Sequence, residues 1–594
     1  MVDFIALLAG LAVFVGAFSF GKALLSTLGA GFRDWIEEYS YALMLGLLFF
    51  SLYGFFVAAM GIAIPDAFLI LVVLSLVVGL SELHKALNER KYFPFPKDLE
   101  SKIIVFLIAG LMAVNLLSSL AVPSTGSLGP IDWDSLTYHL LAPAQILSEH
   151  SFSFQPLLPH LNWPIGFEMI YLAAMALGGV VAARFLSFLV SLALVLFIYS
   201  FAKRFVSQKN ALIAAAIFSS IPLVNIFFGT GYIDLHLTFA ILLSLNALFA
   251  YQETKKKRWL FLSAVNAGFA AGIKLIGLAY AFVFTLWFLY YDLRDSVKKG
   301  LAKAIAFIAL VVGIASPWYL KNFFNTGNPV WPLHYSFFNF LGVSANAQSA
   351  YFNQVWALQS AQSGVGHSVI DLILLPFTTV FNSTAFNGII TPLILMFLPL
   401  FFFIKKKNHQ INALLILSGV FTVFCFYAFQ EARFLLPVFA MLSIACAFFI
   451  ENNSLNLQKV IPWIVIIVLA GTLATTMLYK YNSFPNALGL ESNNAYLERT
   501  YPMKNACDYF TSNYDGKVFG FKQEALYYCE RPVYSLYYDY SSMTPDAWRN
   551  DLKQRGVQVV LAPKTTFNDP ILVSLVNGQK KVFEDEAFVL YELN

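Results

Sequence analysis

Long apolar runs alternate with short polar connectors along most of this chain. A membrane-spanning helix needs about 20 mostly apolar residues, because every backbone N–H and C=O must be satisfied inside the segment once water is absent. Windows of this kind recur near residues 2–20, 42–62, 66–82, 102–120, 184–202, 211–228, 235–252, 259–273, 275–291, 302–317, 390–404, 411–428, 434–450 and 459–479. The pattern predicts about fourteen spans. The first run, MVDFIALLAGLAVFVGAF, has no basic segment before it and no small-residue cleavage site after it, so it reads as a retained helix. From about residue 485 the period changes. KVFGF, PVYSLYY and VQVVLAP read as short buried strands, and TPDAWRNDLKQRG as a helix with Thr544 as cap, Pro545 in its first turn and Gly556 as its stop. Strand, helix and strand in alternation indicate a small α/β domain. The chain therefore divides into N-terminal helices and a linker (1–101), a transmembrane core with outer loops 122–183 and 318–389 (102–484), and a C-terminal α/β domain (485–594).

Composition agrees: 59% of the 594 residues are hydrophobic and 12% charged, against roughly half and a quarter in a soluble domain. This is a polytopic α-helical membrane protein. A net charge of +4 provides no argument for nucleic acid as a partner; the placement of the cations says more. All but four of the 38 Lys and Arg lie in short connectors or from Lys480 onward. By the positive-inside rule those connectors are cytoplasmic, which puts 122–183, 229–234, 318–389, 429–433 and the C-terminal domain on the extracytoplasmic side of a cytoplasmic (inner) membrane. The stretch PIGFEMIYLAAMALGG at 164–179 is short for a span and is expected to lie along the membrane surface. Cys425 and Cys446 fall inside spans as small apolar fillers. Cys507 and Cys529 lie in the exported tail, where a disulfide is allowed but spacing does not decide it.

The four remaining cations are Arg184, Lys274, Lys321 and Arg433, and the polar residues facing the same side include Asp132, Asp134, Tyr138, His139, Asp234 and His236. Asp134 opens DSLTYHLL either as a helix cap or as a general base whose proton affinity apolar surroundings raise. Tyr138, four residues on, shares its helix face. Asp132 adds a D-x-D spacing that would suit a divalent cation on hard oxygen ligands, so a metal remains open with Asp132 and Asp134 as its ligands. Asp234 opens a span as a cap or as a second acid. Lys274 interrupts a long apolar stretch, where it is either paired or snorkelling. Arg433 supplies a planar fork suited to phosphate oxygens, and Lys321 is a third isolated cation. Outer cations facing two acids suit a lipid phosphate beside a base.

In order along the chain, IDWDSLTYHL, a P-x-G helix followed by GGVVAARFLSF, GYIDLHLTF, AAGIKLIGL, PWYLKNFFNTGNPVWP and EARFLLPVF resemble the membrane-embedded GT-C glycosyltransferases. The likeness is to the bacterial branch related to protein O-mannosyltransferases and the lipid A aminoarabinose transferase, over roughly residues 102–480. It implies a GT-C-like fold and transfer of a sugar, with inversion, from a polyprenyl-phosphate donor to a lipid, glycan or protein acceptor on the outer face. It implies Asp134 and Asp234 as the catalytic acids and Lys274 and Arg433 as ligands of the donor phosphate; Asp132, Tyr138, His139 and Lys321 complete the expected substrate site. The first motif departs from the paired acid-Glu of the O-mannosyl branch, which leaves the base between Asp134 and Asp132, and the WWD string of oligosaccharyltransferases is absent. The alternative from another class is a transporter or flippase of lipid-linked or envelope glycans, since charges in a helical bundle also mark transport paths. No paired halves with matching broken spans are visible in the sequence.

Overall fold

The computed structural model describes residues 3–29, 31–89, 95–126, 132–152, 159–334, 337, 364–382, 386–404, 408–455, 457–534 and 543–593. Among them, eleven helices are long and apolar enough to cross a membrane. The chain is a multi-pass membrane protein. Three of the fourteen expected spans take another form. Residues 211–228 break into α7 (Gln208–Ser219) and α8 (Pro222–Phe227), because Pro222 has no N–H to continue the ladder. The stretch 259–273 becomes the 17-residue α10 (Lys257–Ile273), and 390–404 is a short helix, Pro392–Phe397, running into a 3-10 turn, Leu398–Phe403.

The N-terminal helices α1 (Phe4–Leu28), α2 (Trp35–Ala59) and α3 (Pro65–Asn88) pack on one another and on α6 (Glu168–Ala202). Asp3 and Asp34 cap α1 and α2 through the amides of Ala6 and Glu37. α1 and α2 cross backbone to backbone: a Cβ on Gly46 would sit 1.7 Å from the Ala17 carbonyl oxygen, and one on Gly21 1.8 Å from that of Ala42. Lipid is as apolar as a leucine side chain, so small residues that let helices approach supply the association. α6 holds two expected elements. Its first part covers most of the expected surface segment 164–179 and its second part the expected span 184–202; the two helices are broken at Gly178 and Gly179, which have non-helical backbone angles, with Gly179 at φ 69°, a conformation that favours glycine.

α9 (Asp234–Thr254) is the axis of the bundle. Its apolar face runs all the way round and its whole spanning window is buried, as expected for a helix surrounded by others. At the end that carries Lys255–Arg258 its Asn246 accepts from Arg33 and Arg204, each at 2.9 Å, and donates to Glu37 at 2.7 Å. This network ties α2 and the end of α6 to α9. At the opposite end lie α4 (Leu99–Ser119), a π-helical turn Ser135–His139, α5 (Leu141–Glu149), and the junction between α10 and α11 (Ile276–Asp295). α12 (Val297–Thr326) and the helices His409–Ala428, Leu436–Asn452 and Ile461–Lys480 complete the bundle. Residues 338–363 of the expected 318–389 loop, the KKK connector at 405–407 and the end of PVYSLYY lie outside the described residues.

The C-terminal region is a five-stranded sheet in the order β2-β1-β3-β5-β4. β1 (Lys517–Gly520), β2 (Pro532–Tyr534) and β3 (Val557–Pro563) are parallel; β4 (Lys580–Glu584) and β5 (Phe588–Glu592) add an antiparallel edge that the strand signals did not include. The helix Pro545–Gln554 starts on Thr544 as expected. Cys507 and Cys529 are joined in a disulfide. Close to it the region grips the membrane core: Tyr528 donates to the Pro123 carbonyl at 2.7 Å, and the Ala525 amide donates to Thr137 Oγ1 at 3.0 Å. The sheet region thus rests on the turn that carries the first acidic motif.

Candidate active site

Asp134 immediately precedes the π-helical turn, and its side chain makes no capping bond there. The carboxylate turns inward instead. Its Oδ2 accepts from Tyr138 Oη at 2.8 Å and pairs with Arg433 Nη1, while its backbone amide donates to Tyr232 Oη at 3.2 Å. Burial is the largest single influence and favours the neutral acid, but the charge of Arg433 together with the hydrogen bonds from Arg433 and Tyr138 outweighs it and holds the Asp134 carboxyl well below the usual carboxylate range. This reverses the expectation that apolar surroundings raise its proton affinity. Tyr138 is pushed well above its ordinary value by burial and by the neighbouring carboxylate, so it stays a neutral donor.

The second acid meets the second cation. Lys274 ends α10 in an extended conformation, which breaks the helix and turns its amine onto Asp234 Oδ1 at 2.8 Å. Lys274 borders the cavity, whereas Asp234 is fully enclosed behind it, with Oδ2 left without a hydrogen-bond partner among the described residues. Asp234, expected as a second catalytic acid, thus meets the cavity only through Lys274. Both cations lie beside one aromatic ring: Lys274 Nζ is 5.1 Å and Arg433 Cζ 5.3 Å from the centroid of Phe434.

Two other expected residues do not reach this place. Asp132 pairs with Arg184 at 3.3 Å, both nearly inaccessible, and anchors the first loop to α6. Since Asp132 and Asp134 answer to different arginines, the D-x-D spacing does not form a paired-carboxylate metal site. Among the described residues no group of three or more His, Cys, Asp or Glu is arranged to hold a metal ion. Lys321 donates to the carbonyls of Leu161 and Trp163 at 2.6 and 3.0 Å, clamping the loop that carries the cavity wall. His236 stacks on Phe167 at 3.9 Å as a packed interior residue.

The cavity these elements enclose is about 260 Å³. One wall is aromatic: Tyr138 stacks on His160 at 4.6 Å and 8°, and Trp163 meets both rings edge-on. Burial pushes the His160 imidazole down to about 3, so it is neutral. The lower flank is apolar and comes from two spanning helices, with Leu278 and Ala279 of α11 and Phe424 of the helix His409–Ala428. The sequence reading missed a pair on this wall. His139, expected only as a substrate contact, holds Glu168 at 2.6 Å, Nδ1 to Oε1, and both border the cavity. A single acid at the apolar start of PIGFEMIY was the signal, since an unpaired carboxylate there is costly to bury.

The structure of ArnT from Cupriavidus metallidurans bound to undecaprenyl phosphate superposes with a TM-score of 0.51 at 13% identity, covering 83% of this chain and 98% of that one. This is the GT-C fold. The apo form of ArnT gives a TM-score of 0.49 at 14% identity over 82% of this chain and 98% of that one. The Archaeoglobus fulgidus oligosaccharyltransferase in complex with zinc and sulfate gives 0.43 at 12% identity, over 78% of this chain and 68% of that one. Residues 163–319 match the family described as dolichyl-phosphate-mannose-protein mannosyltransferase. No curated protein matches the chain. The matched segment includes Glu168 and Lys274, which line the cavity, and Asp234 behind Lys274; Asp134 and Arg433 lie outside it.

Proposed function

We propose that this GT-C protein moves a sugar from a polyprenyl-phosphate donor to an acceptor hydroxyl, with inversion, on the extracytoplasmic side of the inner membrane. The observation that carries the reading is the pair of cations beside Phe434, each matched to one acid, above an apolar flank of spanning helices. The lipid tail lies along α11 and the helix His409–Ala428, while Lys274 and Arg433 take the phosphate. The acceptor oxygen attacks the anomeric carbon from the face opposite the phosphate. The bond from that carbon to the phosphate oxygen breaks, and its electron pair leaves with the polyprenyl phosphate. That phosphate gains charge as the bond lengthens, so preorganised cations stabilise the transition state more than the ground state.

Asp134 is the general base. In the free protein Arg433 suppresses its basicity; a donor phosphate competes for the same guanidinium and leaves the carboxylate able to take the acceptor's proton. Asp234 is a positioning residue that keeps Lys274 extended. Residues 485–594 form a separate extracytoplasmic domain, in keeping with the Cys507–Cys529 disulfide, and shape the acceptor side of the site. The acceptor class spans lipid, glycan and protein hydroxyls.

The test is transfer of label from a panel of polyprenyl-phosphate sugars to membrane extract, using purified protein in nanodiscs. Wild type consumes at least one donor, and Asp134→Asn, eluting as a single monodisperse species, loses about 10²–10⁴ in rate. Equal turnover by the two proteins overturns the assignment of the base, and no turnover of any donor overturns the transferase reading.

A further inference from the structure

We propose that His139 and Glu168 form a hydroxyl-reading subsite that selects the sugar carried by the donor. The inference rests on the transferase reading above and adds to it the part of the substrate that this wall recognises. The two residues come from separate elements: His139 is the last residue of the π-helical turn and Glu168 the first of α6. Their side chains are 1% and 2% exposed, and His139 Nδ1 lies 2.6 Å from Glu168 Oε1. The second polar atom of each, His139 Nε2 and Glu168 Oε2, is buried without a hydrogen-bond partner among the described residues. Both residues border the cavity.

A buried polar atom left without a partner is the exception in folded proteins, and a ligand that supplies the missing partner explains it. Burial keeps the His139 imidazole neutral, well below its usual range. The neutral ring and Glu168 share one hydrogen bond between Nδ1 and Oε1, so Nε2 and Oε2 are each left as one hydrogen-bonding atom without a partner among the described residues. A polyprenyl tail offers neither donor nor acceptor, whereas a sugar hydroxyl serves as either. Beside the pair, the rings of Tyr138, His160 and Trp163 supply an aromatic wall for the C–H face of a pyranose, with Tyr138 4.1 Å from His139. Lys274 borders the same cavity, so a donor phosphate held there puts the attached ring within reach of this wall. The subsite therefore selects a hexose with free hydroxyls over its deoxy analogue, because a missing hydroxyl leaves the buried polar atoms unpaired.

The experiment measures binding to the full-length protein in nanodiscs. The probes are undecaprenyl phosphate, its mannosyl, glucosyl and galactosyl derivatives, and the monodeoxy analogues of whichever hexosyl form binds best. Wild type is expected to bind undecaprenyl phosphate and to disfavour at least one deoxy analogue by about tenfold or more. Glu168→Gln and His139→Asn are expected to erase that discrimination while keeping the affinity for undecaprenyl phosphate within about twofold of wild type, since only phosphate and tail contacts remain. Asn retains a polar atom near the position of Nδ1 and removes the one at Nε2; His139→Gln, which keeps a polar atom near Nε2, is expected to restore part of the preference. If both variants discriminate as wild type does, or lose undecaprenyl phosphate and hexosyl probes in equal measure, the pair is only a brace between the turn and α6 and the subsite is wrong. If wild type binds none of the probes, the transferase reading fails as well.

Discussion

At the residue scale, the site depends on how each acid is partnered. Asp134 and Asp234 are both outward acids in the sequence, and the structure separates them by partner and access: Asp134, partly exposed, shares its oxygen with Arg433 and with Tyr138 of the cavity wall, while Asp234 is enclosed behind Lys274. Arg433 is what keeps Asp134 well below the usual carboxylate range. Arg433→Gln removes that charge, so burial then dominates and the folded-state proton affinity of Asp134 rises. The sign follows: a protonated base is inactive, and the pH at which activity is lost on acidification moves upward. The acid limb of kcat/KM, which reports the free enzyme, is expected to shift toward neutrality in Arg433→Gln, and an unmoved limb assigns that limb to another group. Asp132, Lys321 and His236 show the opposite outcome, as each is consumed by a local structural partner.

At the scale of elements, small residues and helix breaks decide where things meet. The Gly21 and Gly46 contacts bring α1 against α2 at backbone distance, which accounts for the three N-terminal helices as packing partners of α6. Gly46→Ala forces the two helices apart; overpacking of this kind costs about 1–3 kcal/mol. A lower apparent melting temperature, with unchanged probe affinity at the distant site, is the expected result in a detergent-stability assay. The break at Gly178 and Gly179 divides α6 into the expected surface segment and the expected span. The break at Lys274 acts the other way, converting the end of α10 into a site where a cation faces a cavity.

At the scale of the whole molecule, the membrane core and the sheet region share a surface. The disulfide closes the chain over a sequence separation of 22 residues immediately beside Ala525 and Tyr528, which bond to Thr137 and Pro123. Closing a loop of that size stabilises a domain by about 3 kcal/mol in the chain-entropy account. Replacing both cysteines by serine is expected to increase proteolytic cleavage within residues 485–594 and, through the Ala525 contact, to lower transfer activity while leaving undecaprenyl phosphate binding intact. Limited proteolysis alongside the donor-binding assay checks both parts, and unchanged cleavage would show that the sheet region is held by its docking surface alone.

The sequence by itself determined the membrane class and the order of the polar motifs, because apolar run length and charge placement are local properties of the chain. It also singled out Asp134, Tyr138, His139, Lys274 and Arg433, since a polar group amid apolar residues is visible without knowing its partner. Only the tertiary structure decided the pairings. Arg433 lies 299 residues from Asp134, Lys274 lies 40 from Asp234, and Glu168 lies 29 from His139. Which acid faces which cation depends on how α6, α9, α10 and the later helices pack, and the low-dielectric interior makes that choice set both the charge of each group and its access to the cavity.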